Sequence, residues 1–315
     1  MSNLKLGIIG AGYIAEKHLE VISKIRRLKV VGITSRTSSK AKKLANKFGI
    51  KNIYSDYVSL FNNNKLDGIL ILVSSEEIYR VLNQIIPYRI PFFVEKPPGI
   101  SLFEIQKICK KVNKFKLKNM VGYNRRYYSN FKKGMKLINN KGGLLGLIVE
   151  GHERFWEITD KISNFNRKNF LYSNSSHTID LLRFFGGEIQ NCSINKFSFI
   201  ENKGDQFSLS IKFKNNIVGT YIANWYSPGG WSVKLFGKGV TVKFEPLERG
   251  FWYDKNMNIH EITLDQKDLI YKPGFYFQMI EFRNFLDSGV LSWPGQDLQN
   301  IMNTFSIIKN IVDAK

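Results

Sequence analysis

The sequence predicts an α/β protein in two parts, a doubly wound parallel sheet followed by an α/β region with a mostly antiparallel sheet. Three observations predict it. Apolar strand-like runs alternate with amphipathic helix-like runs from Leu4 to about residue 121. A glycine turn, Gly10-x-Gly12-x-x-Ala15, separates the first strand from the first helix. Beyond residue 121 the alternation gives way to two helices and then a series of strand-like runs. The change of pattern sets domains at 1–121 and 122–315, with the last helix placed to pack back on the first.

Each element has its own signal. Residues 4–9 read as a buried parallel strand, 13–26 as a helix and 28–34 as a second strand. Ser38 or Ser39 caps a helix that stops at Gly49. Ile53 and Tyr54 give a short strand, and Asp56 caps a short helix through Phe61. A strongly apolar strand at 66–73, a helix at 77–86, a strand at 91–94, a helix at 101–112 and a strand at 119–123 complete the first part. The second part has helices at 129–141 and 170–185. Strands follow at 190–199, 207–213, 217–225, 231–235 and 240–244, parted by Gly- and Asn-containing turns. Helices at 275–287 and 297–312 close the chain.

Composition bounds the function. With 43% hydrophobic and 14% aromatic residues the chain builds sizeable cores. No apolar run approaches the roughly 20 residues that cross a bilayer, and Leu6 to Ala15 reads as strand, turn and helix rather than a leader. Cys109 and Cys192 lie far apart with no metal spacing, which points to a reduced, cytoplasmic protein with no metal site. The net charge of +21 comes mostly from lysines on predicted helix faces, with no nucleic-acid motif beside them. The expected partners are therefore small molecules, neither nucleic acid nor membrane.

The motifs carry the chemistry. Gly10 permits the tight turn, Gly12 lets backbone approach a pyrophosphate at the helix N-terminus, and Ala15 lets helix and strand pack closely. Tyr13 and Ile14 follow in the same turn. The second strand ends in Ser35-Arg36 rather than in a carboxylate. Arg36 pairs with a 2′-phosphate, so NADP(H) is favoured over NAD(H). Ser74 and Ser75, after the fourth strand, suit the nicotinamide ribose. Lys96 in Glu95-Lys96-Pro97 stands at the carboxyl end of a buried strand, where open α/β sheets bind ligands, and Glu95 orients it or meets the cofactor. His177, preceded by the polar run Ser173-Asn174-Ser175-Ser176, is the natural proton carrier near neutral pH, with Asp180 one helical step away. The bland alternatives are a surface lysine in a proline turn and a structural helix histidine.

Together these residues resemble the Gfo/Idh/MocA family of NAD(P)-dependent oxidoreductases. The match rests on the glycine turn, Glu95-Lys96-Pro97, the Gly122-Tyr123-Asn124-Arg125-Arg126 segment and His177-x-x-Asp180. The resemblance implies a Rossmann domain followed by an α/β domain with an open, mostly antiparallel sheet that commonly mediates dimers or tetramers. It implies oxidation or reduction of a sugar, polyol or related hydroxyl compound, with Lys96 and His177 as the catalytic pair. Two positions depart from the family pattern. Ser173 stands where an Asp is usual, and Ser74-Ser75-Glu76 stands where Thr-Pro-Asn is usual, with Tyr79 in place of a following His.

The expected reaction moves a hydride between nicotinamide and a carbinol or carbonyl carbon, with His177 as acid/base and Lys96 polarising the oxygen. Asn124, Arg125, Arg126, Arg167 and Lys168 are candidates for substrate or anion binding, and Tyr172, Asn174, Trp225 and Trp231 for hydrogen bonding or stacking. The competing reading is a dinucleotide-binding regulator that has lost turnover, which Ser173 favours and the pair Lys96 and His177 opposes.

Overall fold

Six short apolar runs in the N-terminal part pair into one sheet in the computed structural model, which describes residues 2–314. The elements are β1 (Leu4–Ile9), α1 (Tyr13–Ile22), β2 (Leu28–Thr34), α2 (Ser38–Phe48), β3 (Ile53–Tyr54), α3 (Tyr57–Asn62), β4 (Gly68–Ile71), α4 (Ser75–Ile85), β5 (Phe92–Glu95), α5 (Leu102–Lys114) and β6 (Asn119–Gly122). All pairings are parallel, in the order β3-β2-β1-β4-β5-β6. The order reverses between β1 and β4, and at that switch point an open sheet leaves a crevice at the strands' carboxyl ends.

Local chemistry sets the boundaries. The Asp56 carboxylate accepts from the Ser59 N–H at 2.7 Å to cap α3, and Gly49, at φ 66°, ends α2. The first helix stops at Ile22, earlier than the expected 26. The Lys24 and Ile25 N–H groups bond only three residues back, and Arg27 turns to φ 72°.

The chain divides into two compact units, Met1–Asn124 with Lys267–Met302 and Arg125–Gln266 with Asn303–Lys315. The second contains α6 (Ser129–Asn140), β7 (Leu144–Gly151), α7 (Phe155–Ile158), α8 (Asn164–Lys168), a π turn at Leu171–Ser175 and α9 (Ser176–Gly186). Seven more strands follow, β8 (Ile189–Phe197), β9 (Gln206–Phe213), β10 (Val218–Asn224), β11 (Trp231–Gly237), β12 (Val240–Phe244), β13 (Gly250–Asp254) and β14 (Ile259–Ile262). They form an eight-stranded sheet, β14-β13-β12-β11-β7-β10-β9-β8, antiparallel except where β7 meets β10. Strands β7, β13 and β14 have no counterpart among the expected strands. The signal for β7 was the apolar run 144–149 between Gly142-Gly143 and Gly151, broken by Gly146. The edge strand β14 exposes three of its four residues, so it carries no burial pattern.

Alternation gives this sheet one buried face. On β9, Phe207, Leu209, Ile211 and Phe213 are buried, while Gln206, Ser208, Ser210 and Lys212 are exposed. Phe131 of α6 packs at 4.7 Å from Phe244 and 5.1 Å from Phe185 of α9. Burying a side chain of that size contributes roughly 2–3 kcal/mol.

The remaining helices are α10 (Gln266–Ile270), α11 (Phe275–Ser288) and α12 (Leu298–Asp313). Residues 267–302 belong to the first unit. Phe275 and Phe282 of α11 meet His18 at 4.7 Å and Phe93 at 5.7 Å, and the Asp287 carboxylate takes the Arg27 guanidinium at 2.7 and 2.8 Å. The Val121 N–H donates to the Gln296 carbonyl and the Leu298 N–H to the Asn119 side chain, both at 2.8 Å. No helix among the described residues is long and apolar enough to cross a membrane.

Candidate active site

In the first unit the glycine turn does what its residues allow. Gly10 sits at φ 114°, where a Cβ would stand 2.4 Å from the Leu72 carbonyl oxygen, so the turn requires glycine. Gly12 is the N-cap of α1, and a Cβ there would meet nothing within 4 Å. That open space lies beside the N–H groups at a helix N-terminus, which suits an anionic diphosphate. Between the ends of β1, β2 and β4 opens a cleft of about 340 Å³, lined among others by Gly10, Gly12, Ser35, Arg36, Ser74 and Glu77. Tyr13, Ile14, Ser75 and Glu95 are not in its lining. Tyr13 is largely exposed, with the Lys17 and Lys272 ammonium groups 5.5 and 5.8 Å from its ring.

Arg36 does not stand alone. Its guanidinium donates to the Glu77 carboxylate at 2.9 Å, and Arg80 donates to the same group at 2.8 Å. The hydrogen bond from Arg80, with the charge of Arg36, holds the Glu77 carboxyl below the usual range. Sequence reasoning missed Glu77, which reaches the cleft from the first turn of α4 rather than from the end of β2.

Lys96 follows β5 directly and is half-buried. The Glu95 carboxylate lies 2.7 Å from the His18 Nε2 and accepts the Lys96 backbone N–H at 3.2 Å. His18 was also missed. It lies on the buried face of α1 with Ala15, Leu19 and Ile22, where a lone histidine reads as core. Asn124 donates to the Pro273 carbonyl at 2.9 Å.

The second unit gathers a different set. His177 is 3% exposed on α9, with its ring 5.9 Å from Trp231. The Arg125 guanidinium lies 4.4 Å from the Trp231 ring. Glu153, just past β7, accepts from the Trp231 Nε1–H at 2.9 Å and the Asn174 side-chain amide at 2.8 Å. Thus Arg125, Asn174, His177 and Trp231 converge with Glu153, which the sequence did not flag. Arg167 and Tyr172 have other contacts. The Arg167 guanidinium donates to Glu201 at 2.7 Å. Tyr172 is buried against Phe305 at 5.4 Å, and burial pushes its phenol up to about 12. Trp225 stacks on Phe155 in the core. Among the described residues no group of three or more His, Cys, Asp or Glu side chains is arranged to hold a metal ion.

Residues 4–123 match the model of the GFO_IDH_MocA oxidoreductase family, NAD-binding Rossmann fold. That match covers the Rossmann part of the chain. The chain is 32% identical to the uncharacterized oxidoreductase YrbE of Bacillus subtilis over 42% of this chain and 39% of that protein. It is 23% identical to the myo-inositol 2-dehydrogenase of Thermotoga maritima over 44% of this chain and 41% of that one. These alignments span less than half of either relative. The UDP-N-acetylglucosamine 3-dehydrogenase GnnA of Acidithiobacillus ferrooxidans shares the fold at a TM-score of 0.81 and 14% identity, over 100% of this chain and 98% of that one. Residues 4–123 therefore match an NAD-binding Rossmann domain of the Gfo/Idh/MocA type, followed in the chain by a mostly antiparallel sheet.

In the second unit, Ser173 donates to the Asn166 carbonyl at 3.1 Å. Asp180 receives Arg126 through both oxygens, at 2.6 and 3.0 Å, and the Thr304 hydroxyl at 3.0 Å.

Proposed function

We propose that this protein is an NADP(H)-dependent oxidoreductase acting on a hydroxyl or carbonyl group of a sugar, polyol or sugar derivative. The observation that carries the reading is the glycine-turn cleft with its unfilled space at Gly12 and its cationic wall of Arg36, Lys40 and Arg80. Among the similar proteins, a myo-inositol 2-dehydrogenase and a UDP-N-acetylglucosamine 3-dehydrogenase support the substrate class. The nicotinamide coenzyme supplies the hydride acceptor or donor. Gly10, Gly12 and Ser74 hold its diphosphate and ribose, and Arg36 with Ser35 takes the 2′-phosphate, exchanging Glu77 for it. Lys96 donates to the substrate oxygen and stabilises negative charge there. His177 carries the proton at its imidazole, and Arg125, Asn174 and Glu153 bind the substrate's polar groups. An ammonium beside the reacting oxygen and an imidazole to move its proton are what a carbinol–carbonyl conversion needs.

A second copy of the chain on the exposed face of the second sheet, where Gln206, Ser208, Ser210 and Lys212 point outward, is the proposed oligomer. A reducing compartment such as the cytoplasm suits Cys109 and Cys192, which stand unbridged.

The test is a panel of polyols, sugars and nucleotide sugars with NADP⁺ or NAD⁺, followed by nicotinamide absorbance. Turnover that falls at least about 100-fold in both Lys96→Ala and His177→Ala, with coenzyme still bound, supports the assignment. Turnover indifferent to both substitutions refutes it.

A further inference from the structure

We infer that His18 is a positioning residue, one that fixes the Glu95 carboxylate and through it the chain at Lys96. The inference rests on the reading that Lys96 acts on the substrate. His18 is fully buried on α1, its ring 5.0 Å from Phe93 and 4.7 Å from Phe275. Its Nε2 lies 2.7 Å from one oxygen of Glu95, and the other oxygen accepts the Lys96 N–H at 3.2 Å. The Nδ1 is buried with no hydrogen-bond partner.

This pattern selects one tautomer. An ionised Glu95 only accepts, so the imidazole proton sits on Nε2, and the bare Nδ1 lies among aromatic rings. The carboxylate is thereby held by a donor whose own position is set by three elements: α1, which begins at the glycine turn, β5, which ends at Glu95, and α11, which returns from the distal part of the sequence. Gly122 crowds the same oxygen, since a Cβ there would stand 3.1 Å from Glu95 Oε1. A half-buried carboxylate with one oxygen fixed by His18 and the other by Lys96 N–H has little freedom to turn toward the Lys96 ammonium. Removing the donor frees it, and a carboxylate that swings to the ammonium makes that amine less nucleophilic.

The test compares His18→Phe, which keeps a ring against Phe93 and Phe275, with His18→Gln, which keeps a donor. Glu95→Gln leaves the His18 packing in place and serves if His18→Phe folds poorly. Each full-length protein is pulsed with acetic anhydride near neutral pH, and acetylation of the Lys96 peptide is read by mass spectrometry against the other lysines. NADPH and NADH binding is followed on the same samples. The inference predicts that Lys96 acetylation falls about tenfold in His18→Phe, returns toward wild type in His18→Gln, and does not fall in Glu95→Gln or in His18→Phe combined with Glu95→Gln. Unchanged Lys96 labelling in His18→Phe overturns it, as does an equal fall in the double variant. Wild-type protein that binds neither coenzyme strikes the functional reading instead, and the labelling comparison separates the two.

Discussion

Asp180 grips Arg126 with both carboxylate oxygens, at 2.6 and 3.0 Å, across 54 positions of sequence and with both side chains almost fully buried. The aspartate that sits three residues after His177 thus anchors α9 to the segment just before α6. Breaking a buried pair from one side leaves an uncompensated charge, which costs about 3–5 kcal/mol. Asp180→Ala is therefore expected to lower the denaturant midpoint sharply, while the exposed pair Lys309–Asp313 is worth little and Asp313→Ala leaves the midpoint nearly unchanged. Equal midpoints for Asp180→Ala and wild type would remove the structural role assigned to Asp180.

The pair also marks what the sequence could carry. Strand–helix alternation, the glycine turn and the caps at Asp56 and Gly49 were legible because each is a local signal. The pairing of Arg126 with Asp180, and the places of His18, Glu77 and Glu153, were not, because their partners lie 54, 77, 41 and 78 positions away. The strand β7 was hidden by glycines in its apolar run, although it sits inside the second sheet. Residues 267–302 join the first unit through Phe275, Phe282 and Asp287, contacts that no periodicity announces. Of the predicted site residues, Gly10, Gly12, Ser35, Arg36 and Ser74 line one cleft and Arg125, Asn174 and His177 one cluster. Arg167 and Tyr172 find partners in Glu201 and Phe305.

In the proposed coenzyme site, Glu77, which accepts from Arg36 at 2.9 Å, would compete with the 2′-phosphate for it. Glu77→Gln keeps the shape of the side chain and removes its charge, so NADPH affinity is expected to rise about three- to tenfold while NADH affinity changes less. Isothermal calorimetry with both coenzymes checks this. A drop in NADPH affinity would mean that Glu77 helps to hold the coenzyme.

Burial pushes the Cys109 thiol up to about 12. In the native protein Cys109 is expected to resist Ellman's reagent at mildly alkaline pH and to react on unfolding. The sign for stability follows from the raised value. Below the unfolded thiol's pKa, near 8.5, burial costs nothing in ionisation. Between there and about 12 the unfolded chain loses its proton and the folded one keeps it, so this residue's contribution falls as pH rises. A Cys109→Ala variant should show a shallower alkaline decline in stability, and an identical decline would contradict the assignment.

We propose that the cleft at Gly10, Gly12 and Arg36 holds a nicotinamide dinucleotide through a 2′-phosphate. The most direct test is a fluorescence titration of the purified protein with NADPH and with NADH, in wild type and Arg36→Ala. Saturable binding of both is expected, tighter for NADPH, with the NADPH advantage lost by about tenfold in Arg36→Ala as one charge-assisted pair disappears. NADH binding tighter than NADPH and indifferent to Arg36 would overturn the phosphate assignment, and a folded protein that binds neither would leave the cleft without a coenzyme role.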